Sequence, residues 1–168
     1  MYTIIAGTNR MGSATLNVAK EYQRFLKDKG ITASVLSLEG INLMYRDAAL
    51  EKIENDILIP TTKFIFLLPE YNGSFPGALK MLIDISKSNT IWWHKKALLT
   101  GLSTGRAGNL RGMEHFMGVL NYLKITVYPN LLPISVVDAL MDDAGKFTDV
   151  NTIKIINNQL DGFLEWSK

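Results

Sequence analysis

The stretch Phe64–Leu68, Phe-Ile-Phe-Leu-Leu, sets five apolar side chains in succession. An extended chain points successive side chains to opposite faces, so a strand of this composition needs cover on both. The middle of a parallel sheet, with helices above and below, provides that cover. The rest of the chain supplies the matching pattern. Tyr2–Ala6 is a short strand of the same buried type. Leu16, Ala19, Gln23 and Leu26, with Phe25 beside them, fall at spacings of three and four. They predict a helix from Ser13 to Lys29, closed by Gly30. Ile31–Leu38 alternates as a second strand, and Ala48–Ile57 is a short charged helix. After Phe64–Leu68 comes a helix over Phe75–Ser86, with Pro76 near its start. Ala97–Leu102 is a fourth strand. Leu110, Met113, Met117, Leu120 and Leu123 make the stripe of the next helix. Ile125–Tyr128 begins a fifth strand, Asp138–Asn151 is a polar loop, and Ile153, Ile156, Leu160 and Leu164 line a last helix.

Five β–α units with short connections predict one domain over residues 1–168. The expected architecture is a three-layer α/β sandwich around a five-stranded parallel sheet, and five strands allow the order 2-1-3-4-5. Such sheets bind ligands beyond the carboxyl ends of their strands, near the switch between strands 1 and 3. The loops after strands 1, 3 and 4 are therefore the places to look.

The first loop reads Gly7-Thr8-Asn9-Arg10-Met11-Gly12-Ser13 and runs straight into a helix. A helix N-terminus exposes free N–H groups and partial positive charge, which suits phosphate. Thr8, Ser13 and Thr15 offer hydroxyls, Arg10 can take two phosphate oxygens, and Asn17 lies one turn in. Ser13 would equally serve as an ordinary helix cap, with Arg10 in solvent. The loop has no G-x-x-x-x-G-K-[ST] and no G-x-G-x-x-G. It also lacks the acidic cluster of a phosphate-accepting receiver domain. A mononucleotide phosphate is the remaining fit.

The second loop, Pro69-Glu70-Tyr71-Asn72-Gly73-Ser74-Phe75-Pro76-Gly77, leaves the most buried strand and is dense in turn formers. Its backbone can bond the polar edge of a flat ring, and Tyr71 offers an aromatic wall. As a long turn leading to Pro76 it would need no ligand. Continued through Ala78, Leu79 and Lys80, it resembles the Pro-Glu-Tyr-Asn-Gly-Ser-x-Pro-Gly-x-Leu-Lys stretch of the NADPH-dependent FMN reductase family, which includes azo, quinone and chromate reductases. The first loop is similar to the family's Gly-Ser-x-Arg-x-x-Ser, with Thr8 in place of Ser. The third loop, Ser103-Thr104-Gly105-Arg106-Ala107-Gly108-Asn109, resembles the family's Ser-x-Gly-x-x-Gly-Gly, with Asn109 in place of the last Gly. Asn tolerates positive φ better than most residues. In pattern and order the resemblance runs from Met1 to about Pro129.

The resemblance implies a flavodoxin-like fold and a bound FMN. Thr8, Arg10, Ser13 and Asn17 would hold its phosphate, and the Thr15 hydroxyl, read from the loop itself, can join them. Pro69, Glu70, Tyr71, Asn72 and Gly73 would meet the ring from one side, and Ser103, Thr104 and Gly105 would lie along it. It further implies NADPH or NADH as hydride donor, a small-molecule electron acceptor, and a homodimer or homotetramer. Arg106 and Arg111 can meet the donor's phosphates or stay in solvent. With the flavin doing the hard step, no catalytic acid or base is required. A non-catalytic flavodoxin-like carrier shares the fold, although such carriers are strongly acidic and this chain is +2. After Lys80 the chain reads Met81-Leu82-Ile83-Asp84-Ile85, where relatives often have Asn-Ala-Ile-Asp-Trp. The acceptor is left open by that difference.

Composition narrows the rest. The absence of cysteine removes disulfides, thiolate metal sites and cysteine nucleophiles, and fits a cytoplasmic location. A charge of +2 gives no reason to expect nucleic acid, and no apolar run approaches a membrane span. The opening Met-Tyr-Thr-Ile-Ile-Ala-Gly reads as a strand, not a signal peptide. His94 and His115 have no acid at ligand spacing, so no metal is assigned. Trp92 and Trp93 are expected in core packing.

Overall fold

The computed structural model describes residues 1–168. Strands β1 (Tyr2–Ala6), β2 (Ala33–Ser37), β3 (Lys63–Pro69), β4 (Lys96–Leu102) and β5 (Thr126–Val127) form a parallel sheet in the order β2-β1-β3-β4-β5. A sixth short strand, β6 (Leu132–Ile134), also pairs with β4. The connecting helices are α1 (Ala14–Asp28), α2 (Ala48–Ile53), α3 (Gly77–Ile85), α4 (Ser88–Ile91), α5 (Leu110–Tyr122) and α6 (Val150–Trp166). This is the flavodoxin-like order expected from the sequence.

β3 divides its side chains between two cores, as the period of two requires. Phe64, Phe66 and Leu68 join Leu79 and Leu82 of α3, Trp92, and Met113, Phe116 and Leu120 of α5. Ile65 and Leu67 point the other way, into Val18, Tyr22 and Leu26 of α1 and Ile156, Leu160 and Phe163 of α6. All five residues of Phe64–Leu68 are fully buried. Each such side chain contributes about 1.5–3 kcal/mol of burial free energy. Trp92 is likewise buried and donates its indole N–H to Ser86 Oγ at 2.8 Å, while Trp93 is partly exposed.

Helix starts follow the local chemistry. Ser13, Asp47 and Asp149 each accept a backbone N–H from three residues on, at 3.3, 2.8 and 2.7 Å. Pro76 stays extended, so α3 begins only at Gly77. The short charged helix ends at Ile53 and continues as a π-helical turn over Glu54–Leu58.

The fifth strand is broken. Thr126 and Val127 pair with Lys96 and Ala97; the chain then leaves the ladder and returns as Leu132–Ile134 beside Thr100–Leu102. Pro133 is tolerated because β6 has no neighbour on its outer side. Across the gap, the Gln159 side-chain amide of α6 donates to Leu99 O at 3.1 Å and to Asn130 O at 2.9 Å. Gln159 thus replaces the missing ladder bonds. The polar stretch from Asp138 is also more ordered than a plain loop. A 3-10 turn covers Val137–Leu140, and Met141 bridges Phe147.

Candidate functional site

The carboxyl ends of β1, β3 and β4 open onto one cavity of about 460 Å³. Its first wall begins where Gly7 crosses β3. Gly7 N–H donates to Leu67 O at 2.9 Å, and a Cβ there would lie 2.7 Å from that same oxygen. Only glycine allows the crossing. Gly12, at φ +61°, then turns the chain into α1. Arg10, Gly12, Ser13, Ala14 and Thr15 line the cavity around that helix start, whose first turn carries no acidic residue. The Ser13 hydroxyl oxygen accepts from Leu16 N, which leaves its own proton to donate.

The second wall is a tight turn. Tyr71 and Ser74 exchange backbone bonds of 2.9 and 3.1 Å around Asn72 and Gly73, both left-handed at φ +53° and +76°. Asn-Gly is the pair such a turn favours. The turn is braced from three directions. The Tyr71 hydroxyl is bonded to Thr8 Oγ1 at 2.7 Å, and the Arg10 guanidinium stands 4.8 Å from the centre of the Tyr71 ring. Glu70 N–H donates to Leu102 O at 2.8 Å. From α5, His115 Nδ1 meets Ser74 Oγ at 2.9 Å, and Arg111 lies over Gly73, where a Cβ would come within 3.0 Å of its Nη1.

In the third wall Ser103 organises its own loop. Its hydroxyl donates to Gly105 O and accepts from Gly108 N, each at 2.8 Å. Gly108, at φ +54°, presses on Pro133, where a Cβ would be 2.5 Å from the ring carbon Cβ. Asn109 adopts φ +58°, the left-handed conformation that a glycine would take there. Its side-chain amide donates to Leu68 O at 2.8 Å and so ties this loop to the end of β3.

The structure brings Arg10, Ser13, Thr15, Pro69, Glu70, Tyr71, Asn72, Ser103 and Thr104 to the main cavity. Gly73 and Gly105 line an adjoining hollow of about 330 Å³, together with Arg106. The two share Glu70, Asn72, Ser103 and Thr104 and make one continuous cleft. Two expected residues stand elsewhere. Thr8 is buried behind the wall and holds Tyr71. Asn17 packs its amide against Gly145, where a Cβ would fall 2.5 Å from its Nδ2. Five lining residues were not among those expected: Gly12 and Ala14, which flank Ser13, Leu102, at the end of β4, and Val137 and Asp138 after β6. The last two become foreseeable only once Leu132–Ile134 is recognised as a strand with a loop of its own. No group of three or more His, Asp and Glu side chains is arranged to hold a metal ion.

The donor set at the α1 end suits an anion, and the volume suits a small-molecule cofactor, for which about 300–1,000 Å³ is usual. Residues 2–137 match the family model described as NADPH-dependent FMN reductase. A 2-hydroxy-1,4-benzoquinone reductase of a Burkholderia species is 28% identical over 107 residues, which cover 61% of this chain and 58% of that relative. An NAD(P)H-dependent FMN reductase of Pseudomonas aeruginosa is 28% identical over 174 residues, with 96% and 92% covered. Among solved structures, the flavoenzyme NAD(P)H:(acceptor) oxidoreductase FerB of Paracoccus denitrificans aligns over 98% of this chain and 95% of its own, at a TM-score of 0.76 and 20% identity.

Proposed function

The chain belongs to the NADPH-dependent FMN reductase family, and from that premise we propose that it is an NAD(P)H-dependent oxidoreductase. In this reading residues 1–168 act as one FMN-binding domain, and the electrons pass to a quinone, azo compound or free flavin. The observation that carries it is the convergence of the loops after β1, β3 and β4 on a single cavity. That cavity is rich in anion donors at the start of α1. When bound, FMN would supply the redox chemistry, taking hydride from the nicotinamide and delivering electrons to the acceptor.

The chain's own part is binding and orientation. Arg10, Ser13, Thr15 and the free N–H groups of the first turn of α1 would hold the phosphate. Pro69–Gly73 and Ser103–Gly105 would border the ring, with backbone groups held still by the turn at Asn72-Gly73 and by the Ser103 hydroxyl. Thr8 contributes indirectly, by fixing Tyr71. The benzoquinone reductase among the relatives supports a quinone as acceptor. Homo-oligomeric assembly and a cytoplasmic location go with the same reading. No helix is long and apolar enough to cross a membrane.

The test is spectroscopic. Purified protein incubated with FMN and desalted should keep a flavin spectrum, and NADPH or NADH should bleach it within the dead time to seconds of a stopped-flow trace. Added benzoquinone should restore the colour. A protein that binds FMN but is not bleached by either nicotinamide would be a carrier. One that retains no flavin yet oxidises NADPH when FMN is supplied would use FMN as a substrate.

A further inference from the structure

The main cavity has a fourth wall. Val137 and Asp138 line it, and they belong to the turn after β6 rather than to the three loops already described. The path of the chain there is unusual. Val136 is left-handed, at φ +46° and ψ +42°, although a β-branched residue strongly disfavours that region. Three bonds hold it so: Ser135 Oγ donates to Arg106 O at 2.7 Å, Val136 N–H to Gly105 O at 2.9 Å, and Val137 N–H to Ser103 O at 3.0 Å. The Val137 side chain is buried in the core beneath. The bonds of Ser135, Val136 and Val137 fasten the turn to the third loop, and the next residue, Asp138, lines the cavity.

Asp138 has no structural employment. It enters none of the molecule's ion pairs. A carboxylate is an acceptor only. The neighbouring groups at the α1 end of the cavity, Arg10, Ser13 and Thr15, are donors suited to an anion. A carboxylate lining the same cavity has no partner in a phosphate, but it complements hydroxyl groups.

We propose that Asp138 is a flavin-contacting residue that accepts hydrogen bonds from the ribityl hydroxyls, the polyol segment between phosphate and ring. The proposal rests on the reading of this cavity as a flavin site. It assigns the ligand's three chemical parts to different walls: phosphate to the start of α1, ring to the second and third loops, polyol to the strained turn.

The test compares three flavins by fluorescence quenching. FMN has phosphate, ribityl chain and ring; riboflavin lacks the phosphate; lumiflavin lacks the ribityl chain as well. Asp138→Ala should weaken FMN and riboflavin by the same factor, about tenfold for a hydrogen bond to a charged group, and leave lumiflavin unchanged. Asp138→Asn keeps a carbonyl acceptor and should lose about threefold. Near-UV circular dichroism of both variants should match the parent, since Asp138 is exposed. Unchanged FMN and riboflavin affinity would overturn the proposal. So would tighter FMN with unchanged riboflavin, because Asp138 would then act only as a like charge on the phosphate. If the parent protein binds none of the three flavins, the cavity reading itself fails, and this is visible before any variant is made.

Discussion

Arg10 is the one cation lining the main cavity, and no carboxylate of the protein pairs with it. Its guanidinium is instead positioned over the Tyr71 ring, a contact that leaves the N–H groups at its edge free. A phosphate at the start of α1 would complete its partners. Arg10→Ala should therefore raise the dissociation constant of FMN about 10–100-fold while changing that of riboflavin little, as flavin fluorescence titration would show. Equal losses for the two ligands would mean that Arg10 acts through Tyr71 and not on phosphate. Val136 presents the opposite case, a residue whose backbone opposes its own side chain. Val-to-Gly changes ordinarily destabilise. Here Val136→Gly removes a left-handed penalty of about 1–2 kcal/mol and adds unfolded-chain entropy of about the same size or less. Urea denaturation should find the variant no less stable than its parent. A loss above about 1 kcal/mol would show that the Val136 side chain, 44% exposed, is packed more firmly than its surface implies.

At the scale of elements, the interrupted fifth strand joins the fold to the site. β6 is short, lies at the sheet edge and contains a proline, yet Ile134 O accepts the N–H of Ser103 at 3.0 Å and so sets the third loop. Beside its pairing with β4, this segment is tied at its approach by Gln159, buried between α6 and the gap. Its amide oxygen also accepts from Tyr22 Oη and Thr100 Oγ1, at 3.2 and 3.1 Å. Gln159→Leu preserves most of the volume but leaves Leu99 O and Asn130 O without their donor, and of the Tyr22 and Thr100 hydroxyls, which also bond each other at 2.9 Å, only one keeps an acceptor. The expected cost is about 2–4 kcal/mol by urea denaturation, with FMN affinity falling in the same variant. The sequence could not disclose this arrangement. Pro129 and Pro133 stand where a continuous ladder would run, and the group that spans the break lies far along the chain, in the last helix. Local periodicity reports neither. The three loops were legible because each follows a strongly apolar strand and because its residue types serve chemistry better than turning. Even there, residue type did not give direction. Thr8 offers a hydroxyl in the right loop and spends it on Tyr71, and Asn17 turns to Gly145. Asn109 was the clearer case, since the left-handed tolerance of asparagine is a property of the residue itself.

Over the whole molecule, the long polar stretch between the 3-10 turn and α6 must be held against α1, for it flanks the cavity wall that Asp138 belongs to. Glu21 does this from the buried side of α1. Its carboxylate accepts from Arg24 Nε and Nη2 at 2.9 and 3.0 Å and from the Phe147 backbone N–H at 3.2 Å. The hydrogen-bonded Arg24 guanidinium holds the Glu21 carboxyl below its ordinary range. Burial opposes this, and the Phe147 N–H adds to the lowering. The folded protein therefore keeps this group ionised at pH values where the unfolded chain, with a carboxyl near pKa 4.3 or about that, has begun to bind a proton. The stability it contributes is fully present above the unfolded value and is lost as pH falls through the folded one. Arg24 is half exposed, which discounts the pair to about 1–2 kcal/mol at neutral pH. Glu21→Gln should be less stable than its parent by that amount at pH 7, and the gap should narrow steadily as pH falls below about 5. Urea denaturation at pH 7, 5, 4 and 3 measures it directly. A gap that stays constant down to pH 3 would assign the loss to packing and hydrogen-bond geometry around Phe147, and the ionised carboxylate would no longer explain how this segment is fastened to α1.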